Sequence, residues 1–304
     1  MKKKFLSLLF LASITVGAFA GCSSNTAGTA DSAKSSSSAD GTEAASSAED
    51  GQVSKADDDK KITVAATLTP HSEILEKAKE ILAAEGYTLE VSVFEDYVQP
   101  NNVVESKQFD ANYFQHVNYL NSFNEENNTH LVIAENGKIH YEPFGIYGGT
   151  KKDLSEIAKG DTIAVPNDTT NEARALLLLQ QEGLIKLADG AGVTATVNDI
   201  VENPNELKIV EVGAEQVSKQ LASVAYGVIN GNYALQAGLN VEKDALAVEE
   251  AQGEAIQQYV NVIAVLEGNE SSEKIAALTA ALKSPEIVEY INSTYEGAVV
   301  PYTE

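Results

Sequence analysis

Sulfur is almost missing from this 304-residue chain: its only methionine is Met1 and its only cysteine is Cys22. A single cysteine excludes any disulfide within the chain. Basic residues are scarce as well, 21 against 45 acidic ones, and without Lys2, Lys3 and Lys4 the balance becomes 18 against 45, a net charge of −27. So acidic a surface argues against nucleic acid as a partner and against docking through a polybasic patch, and solubility is sufficient reason for it. The short motifs of catalysis and metal binding are missing too. GxSxG, a P-loop, GxGxxG, HExxH and CxxC do not occur. No internal repeat is visible.

The N-terminus reads as an address. Three lysines precede "FLSLLFLASITVGAFA", an apolar run too short for a stable membrane span, so residues 1–21 form an export signal. The signal ends at "FAGC", which places Cys22 where a bacterial lipoprotein carries its acylated residue, with Phe19 in the position usually held by Leu. Ordinary cleavage after Ala20 would instead leave Cys22 a free thiol. Residues 22–61 are rich in Ser, Ala, Asp and Thr and hold no aromatic. They cannot bury enough apolar surface to offset their ordering entropy, so a disordered tether is expected, with a reach on the order of 35 Å.

The body, residues 62–304, alternates apolar strand patterns with amphipathic helices. "KITVAATL" is a buried strand, Thr69-Pro70 reads as an N-cap and first helical residue, and Ile74, Leu75, Ala78, Ile81 and Leu82 share one helical face up to Gly86. "TLEVSVFE", "DTIAVPND", "ELKIVEV" and "AYGVI" continue the alternation, which predicts an α/β architecture of mostly parallel sheets. Functional loops then gather at the carboxyl ends of the strands.

Several residues at those ends suit a small ligand. "TTNE", Thr169 to Glu172, reads as a capping box, and Arg174 in the same helix can bind both oxygens of a carboxylate. Its alternative is a surface ion pair with Glu172 or another acid. Asn230, before Gly231, and Asn261, at the start of an apolar strand, offer neutral donors and acceptors. Turn formation is the alternative for Asn230. The stretch "NYFQHVNYLNSF" (112–123) interleaves aromatics with amides and an imidazole, as a site with apolar walls and polar fixing points requires. His71, His116, His140 and Glu142 are the alternative set, as ligands of a metal.

"TPHSEIL", "DYVQPN", "DANYFQHVNYL", "HYEPFGIY", "IAVPNDTTNEARAL", "VINGNYALQAGL" and "YVNVIAV" follow one another in an order that resembles the NlpA lipoprotein family, the methionine-binding lipoproteins of ABC importers. The resemblance runs from about Ile62 to Tyr302. It implies a two-lobed periplasmic-binding-protein-like fold, with lobe 1 at 62–144 completed by 261–304 and lobe 2 at 145–260. It also implies capture of L-methionine and delivery to a permease with an ATPase partner, by a monomer anchored through lipidated Cys22. Neither an enzymatic activity nor a cofactor is expected. Position by position, Tyr97, Phe114, His116 and Tyr119 correspond to the family's side-chain pocket, Arg174 to its carboxylate clamp, and Asn230 and Asn261 to its amide ligands. Another small apolar amino acid, a methionine-containing dipeptide or an exported metal-binding role are the alternatives. The chain departs from the family at "SVAYG" (223–227), Asn118 and Gly148-Gly149. With methionine as cargo, the near absence of sulfur gains a motive: a scavenger made when sulfur is short gains by containing none.

Overall fold

Alternating strands and helices sort into two sheets, and the chain passes between them twice. The structure, a computed structural model, describes residues 60–250 and 254–303. The export signal, Cys22 and all but the last two residues of the expected tether lie outside the described residues. Lys61, placed in that tether, instead opens the first strand, because its backbone pairs with Thr88.

The walk begins with β1 (Lys61–Ala66), α1 (Glu73–Ala84), β2 (Thr88–Val93), α2 (Gln99–Glu105), β3 (Ala111–His116), α3 (Val117–Asn127) and β4 (Leu131–Tyr141). It continues with β5 (Gly145–Gly148), β6 (Thr162–Pro166), α4 (Thr169–Gln181), the small pair β7 (Lys186–Leu187) and β8 (Ile200–Glu202), β9 (Lys208–Val212) and α5 (Ala214–Gln220). Then come β10 (Tyr226–Ile229), α6 (Gly231–Gln236), α7 (Val241–Asp244) and β11 (Ala245–Val248). The last elements are α8 (Glu254–Tyr259), β12 (Val260–Leu266), α9 (Glu273–Leu282), α10 (Pro285–Tyr295) and β13 (Val300–Pro301).

One sheet has the order β13-β4-β12-β3-β1-β2 and the other β11-β5-β10-β6-β9. Parallel pairing is confined to β3-β1-β2 and β10-β6-β9, and the remaining ladders are antiparallel. The sheets are therefore mixed rather than mostly parallel. β12 returns from the other sheet and inserts between β3 and β4, and an antiparallel partner needs no crossover helix. The two passages between sheets are residues 142–144 and 249–259.

Each sheet has its own core. Ile62, Val64, Leu75, Tyr113 and Ile263 centre the first, and Phe144, Ile163, Leu176, Leu179 and Val228 the second. The face predicted for α1 is the buried one, and each of its leucines and isoleucines contributes about 1.5–3 kcal/mol when fully buried. Gly86, at φ +84°, ends that helix in a conformation that L side chains rarely adopt. Its start differs from expectation by three residues. Thr67 to Ser72 close a wider turn first, with the Ser72 N–H donating to the Thr67 carbonyl at 3.0 Å. Thr69 stays extended (φ −110°, ψ 134°), as a residue before proline prefers. Among the described residues no helix is long and apolar enough to cross a membrane.

Candidate ligand-binding site

A small cluster belongs to neither of these cores: Phe114, Tyr119 and Phe123, with Tyr97 packed against them. It arises where β3 runs into α3 without a loop. Along β3, Gln115 pairs with Val262 and Tyr113 with Ile263, so Phe114 is the extra residue of a bulge. His116 ends the strand and caps the helix, its Nδ1 accepting from the Tyr119 N–H at 3.1 Å. Tyr97 lies 5.7 Å from Phe114 and 5.6 Å from Tyr119 between ring centroids, and Phe114 and Tyr119 meet edge to face at 78°. The result is an aromatic wall.

The interleaved amides have another task. Asn112, Gln115 and Asn101 bond one another at 2.6–3.0 Å, which fastens α2 to β3. Gln115 also borders the cavity described below.

Facing the aromatic wall stand the N-terminus of α4 and the end of β10. The cap of α4 is Asp168, not Thr169: Asp168 is extended (φ −81°, ψ 145°) and accepts the Asn171 N–H at 3.0 Å. With Asp168 in the cap position the expected box at Thr169 does not form, and Glu172 accepts the Val197 N–H instead. Asp168 also takes both donor contacts from Asn171 Nδ2, at 2.9 and 3.1 Å. Because a carboxylate only accepts, Asn171 Oδ1 is fixed as an acceptor. It receives Asn230 Nδ2 at 2.8 Å and His116 Nε2 at 3.2 Å. These partners assign the His116 proton to Nε2, and burial pushes its pKa down to about 3, with Arg174 acting in the same direction. The imidazole is neutral at pH 7. Asn230 Oδ1 and Asn232 Nδ2 are buried and have no hydrogen-bond partner among the described residues, a costly state unless something else meets them. Asn232 Oδ1 accepts from the Tyr97 hydroxyl at 2.6 Å, so the two walls touch.

Arg174 is buried, and its partner is Glu249 rather than Glu172. Its Nε donates to Glu249 Oε2 at 2.8 Å, its Nη2 to Glu249 Oε1 and, at 2.9 Å, to the Glu142 carbonyl. The guanidinium lies over the rings of Tyr259 (4.2 Å) and Phe144 (4.8 Å). Burial works against its charge, but Glu249 outweighs burial and the pKa is raised. Nη1 takes part in none of these bonds. Glu142 and Glu249 lie in the two passages between the sheets, so Arg174 ties both together.

His71 and His140 are buried behind the lining and meet Glu142, which does line the cavity. Glu142 Oε1 is 2.7 Å from His140 Nε2 and 3.3 Å from His71 Nε2, and His71 Nε2 is also 3.0 Å from Asn261 Oδ1. Thr67 Oγ1 stands 2.8 Å from His71 Nδ1, and the Tyr113 hydroxyl contacts His140 Nδ1. Burial lowers His71 to about 4 and His140 to about 3, so both rings are neutral, with His140 Nε2 donating to Glu142 Oε1 and His71 Nε2 donating to Asn261 Oδ1. Burial also raises the pKa of Glu142, with His71 offsetting part of the effect. The fourth member of the expected metal set, His116, stands apart with its Nε2 on Asn171.

These groups line one shared cavity. All seven candidate residues line it: Tyr97, Phe114, His116, Tyr119, Arg174, Asn230 and Asn261. Asn171, Asn232 and Glu142 line it as well and were not singled out as ligands of a small molecule. Asn232 had a signal in "NGN", where both asparagines flank the one glycine.

A cavity enclosed between two α/β lobes, each supplying one wall, is the arrangement of periplasmic-binding-protein folds. The chain belongs to the NlpA lipoprotein family, whose profile matches residues 62–303. It is 39% identical over 307 residues to the methionine-binding lipoprotein MetQ of Bacillus subtilis, with all of both chains covered. A solved Ruminococcus gnavus lipoprotein structure is 67% identical and superposes with a TM-score of 0.78 over 80% of this chain and 100% of that one. A nutrient binding protein from Burkholderia cenocepacia, solved bound to methionine, is 40% identical with a TM-score of 0.75, over 80% of this chain and 100% of that one.

Proposed function

We propose that this protein is the extracytoplasmic solute-binding subunit of a methionine importer, a binder rather than an enzyme. The observation that carries it is the pairing of walls: rings on one side, and amides with orphaned polar atoms plus a guanidinium on the other. A flexible thioether side chain packs well against ring edges, and an amino acid's polar end needs the second wall. Tyr97, Phe114, Tyr119 and His116 take the side chain, Arg174 meets the carboxylate through Nη1, and Asn230 and Asn261 hold the polar end. Lobe 1 spans 62–144 with 261–304, and lobe 2 spans 145–260. Acylated Cys22 anchors the monomer to the membrane, and a permease with its ATPase receives the cargo. Native mass spectrometry of the purified protein tests this. A co-purified or added mass of one methionine is expected. A dipeptide mass, or binding of neither amino acid nor dipeptide, overturns it.

A further inference from the structure

One segment belongs to the second sheet by pairing and to the first by packing. Residues 231–248 carry α6, α7 and β11, and β11 pairs with β5 of the second sheet. Yet Val241, in α7, is buried inside the core of the first sheet, whose other buried members all come from 62–144 and 260–304. We propose that α6, α7 and β11 form a pivot seated in lobe 1, about which lobe 2 swings to open the cleft on its far side, between α3 and α4. This rests on the proposed binding function for the motion and not for the ligand's identity.

Three observations carry this assignment. First, β11 faces both cores: Ala245 and Val248 pack on the first, Leu246 and Ala247 on the second. Leu235 of α6 packs on the first as well. Second, polar contacts fasten the segment to lobe 1 along its length. The Tyr233 hydroxyl donates to the Glu95 carbonyl at 2.8 Å, Asn240 Nδ2 to the Tyr295 carbonyl at 3.4 Å, and Lys243 pairs with Glu296 at 2.5 Å. A Cβ on Gly297 would come within 3.0 Å of Glu242 Cγ, so glycine there lets the chain after α10 lie against α7. Third, the contact between α3 and α4 is of another kind. The aromatic cluster beside α3 holds no residue of lobe 2 among the described residues. The helices meet instead through an exposed bond, Thr169 Oγ1 donating to Glu126 Oε1 at 2.7 Å. An exposed hydrogen bond is exchanged for water at small net cost, whereas parting a packed apolar face exposes it. The lobes therefore part at α3 and α4 and hold at α7. Strand order agrees: β11 is one edge of its sheet, and β6, which leads into α4, lies three strands away, roughly 14 Å. Displacement about a pivot grows with that distance.

Pulsed EPR distances on the full chain, with Cys22→Ser to remove the native thiol, test the pivot. One nitroxide pair spans the mouth through Glu125→Cys and Asn167→Cys, and a second joins α7 to α1 of lobe 1 through Lys243→Cys and Glu80→Cys. All four positions are exposed, so the labels leave both cores intact. Adding methionine should shorten the mouth distance by more than about 2 Å and change the α7 distance by less than about 1 Å. Without ligand, the mouth pair should give the broader distribution. An α7 shift as large as the mouth shift means that α7 travels with lobe 2, and overturns the pivot. A mouth distance that stays put while calorimetry on the same sample shows methionine bound also overturns it. Methionine that does not bind removes the functional reading instead. The ligand-free distributions then decide the pivot alone, and equal widths for the two pairs overturn it.

Discussion

The two walls of the cavity are built in opposite ways. The aromatic wall comes mostly from twelve consecutive residues, shaped by a strand bulge at Phe114 and a helix cap at His116. Local backbone geometry aims its rings, and every group in it is neutral. The facing wall gathers residues from α4, the end of β10 and both passages, and a carboxylate at each end, Asp168 and Glu249, orients it. One wall selects by shape and the other by donor, acceptor and charge. A side chain can therefore be exchanged at the first wall with graded effect, whereas the second acts as a connected network in which single changes propagate.

Breaking the charged wall should have the largest effect. Arg174→Ala removes the ligand's charge partner and leaves the largely buried Glu249 side chain without its own, and methionine affinity should fall by roughly 2–5 kcal/mol. Arg174→Lys should also bind poorly, since an ammonium cannot reproduce the fork. Glu249→Gln separates the two roles: calorimetry should show a smaller loss than Arg174→Ala. An equal loss would make Arg174 a fastener of the passages and not a ligand group.

A change in the aromatic wall should be milder and selective. Phe114→Ala should weaken methionine by about 1–3 kcal/mol through lost apolar contact. Alanine as ligand should lose much less, because its side chain does not extend to that ring. Calorimetry that returns the same loss for both amino acids would place Phe114 outside the side-chain pocket.

The imidazole of the aromatic wall sharpens the contrast through pH. His116 is held near 3 in the folded protein and its ordinary value is 6.5. Below pH 6.5 the unfolded chain gains a proton that the folded one refuses, so this group costs stability as pH falls toward 3 and costs almost none above pH 7. Between pH 7 and 5.5 the wild type should lose about 1.3 kcal/mol more than His116→Gln in urea unfolding. Parallel pH profiles for the two proteins would show that His116 is not kept neutral by burial.

Legibility followed the same division. Helix faces and strand positions were readable because apolar periodicity is local, as Ile74, Leu75, Ala78 and Leu82 show. The antiparallel insertion of β12 was not, because it joins segments more than a hundred residues apart through backbone pairing that leaves no side-chain pattern. The seven candidate residues came from family resemblance, and the cavity gathers all of them. Asn171 was read as the interior of a capping box, since the sequence does not show that Asp168, one residue earlier, takes the extended cap position. Glu249 sits in the acidic run "VEEAQGEA", which in sequence looks like solvated surface. Its partner is 75 positions away.

That partnership has a bearing on redesign. Converting the cavity to a cargo without a carboxylate invites replacing Arg174 alone, and that choice strands a largely buried glutamate side chain at a cost of about 3–5 kcal/mol. Exchanging Arg174 and Glu249 together for apolar residues of similar volume, to fill the space between Phe144 and Tyr259, removes both charges at once and can be neutral or stabilising. Such a double exchange also cuts the tie between the passages, so altered cargo preference and altered lobe opening are inherited as a single engineering step.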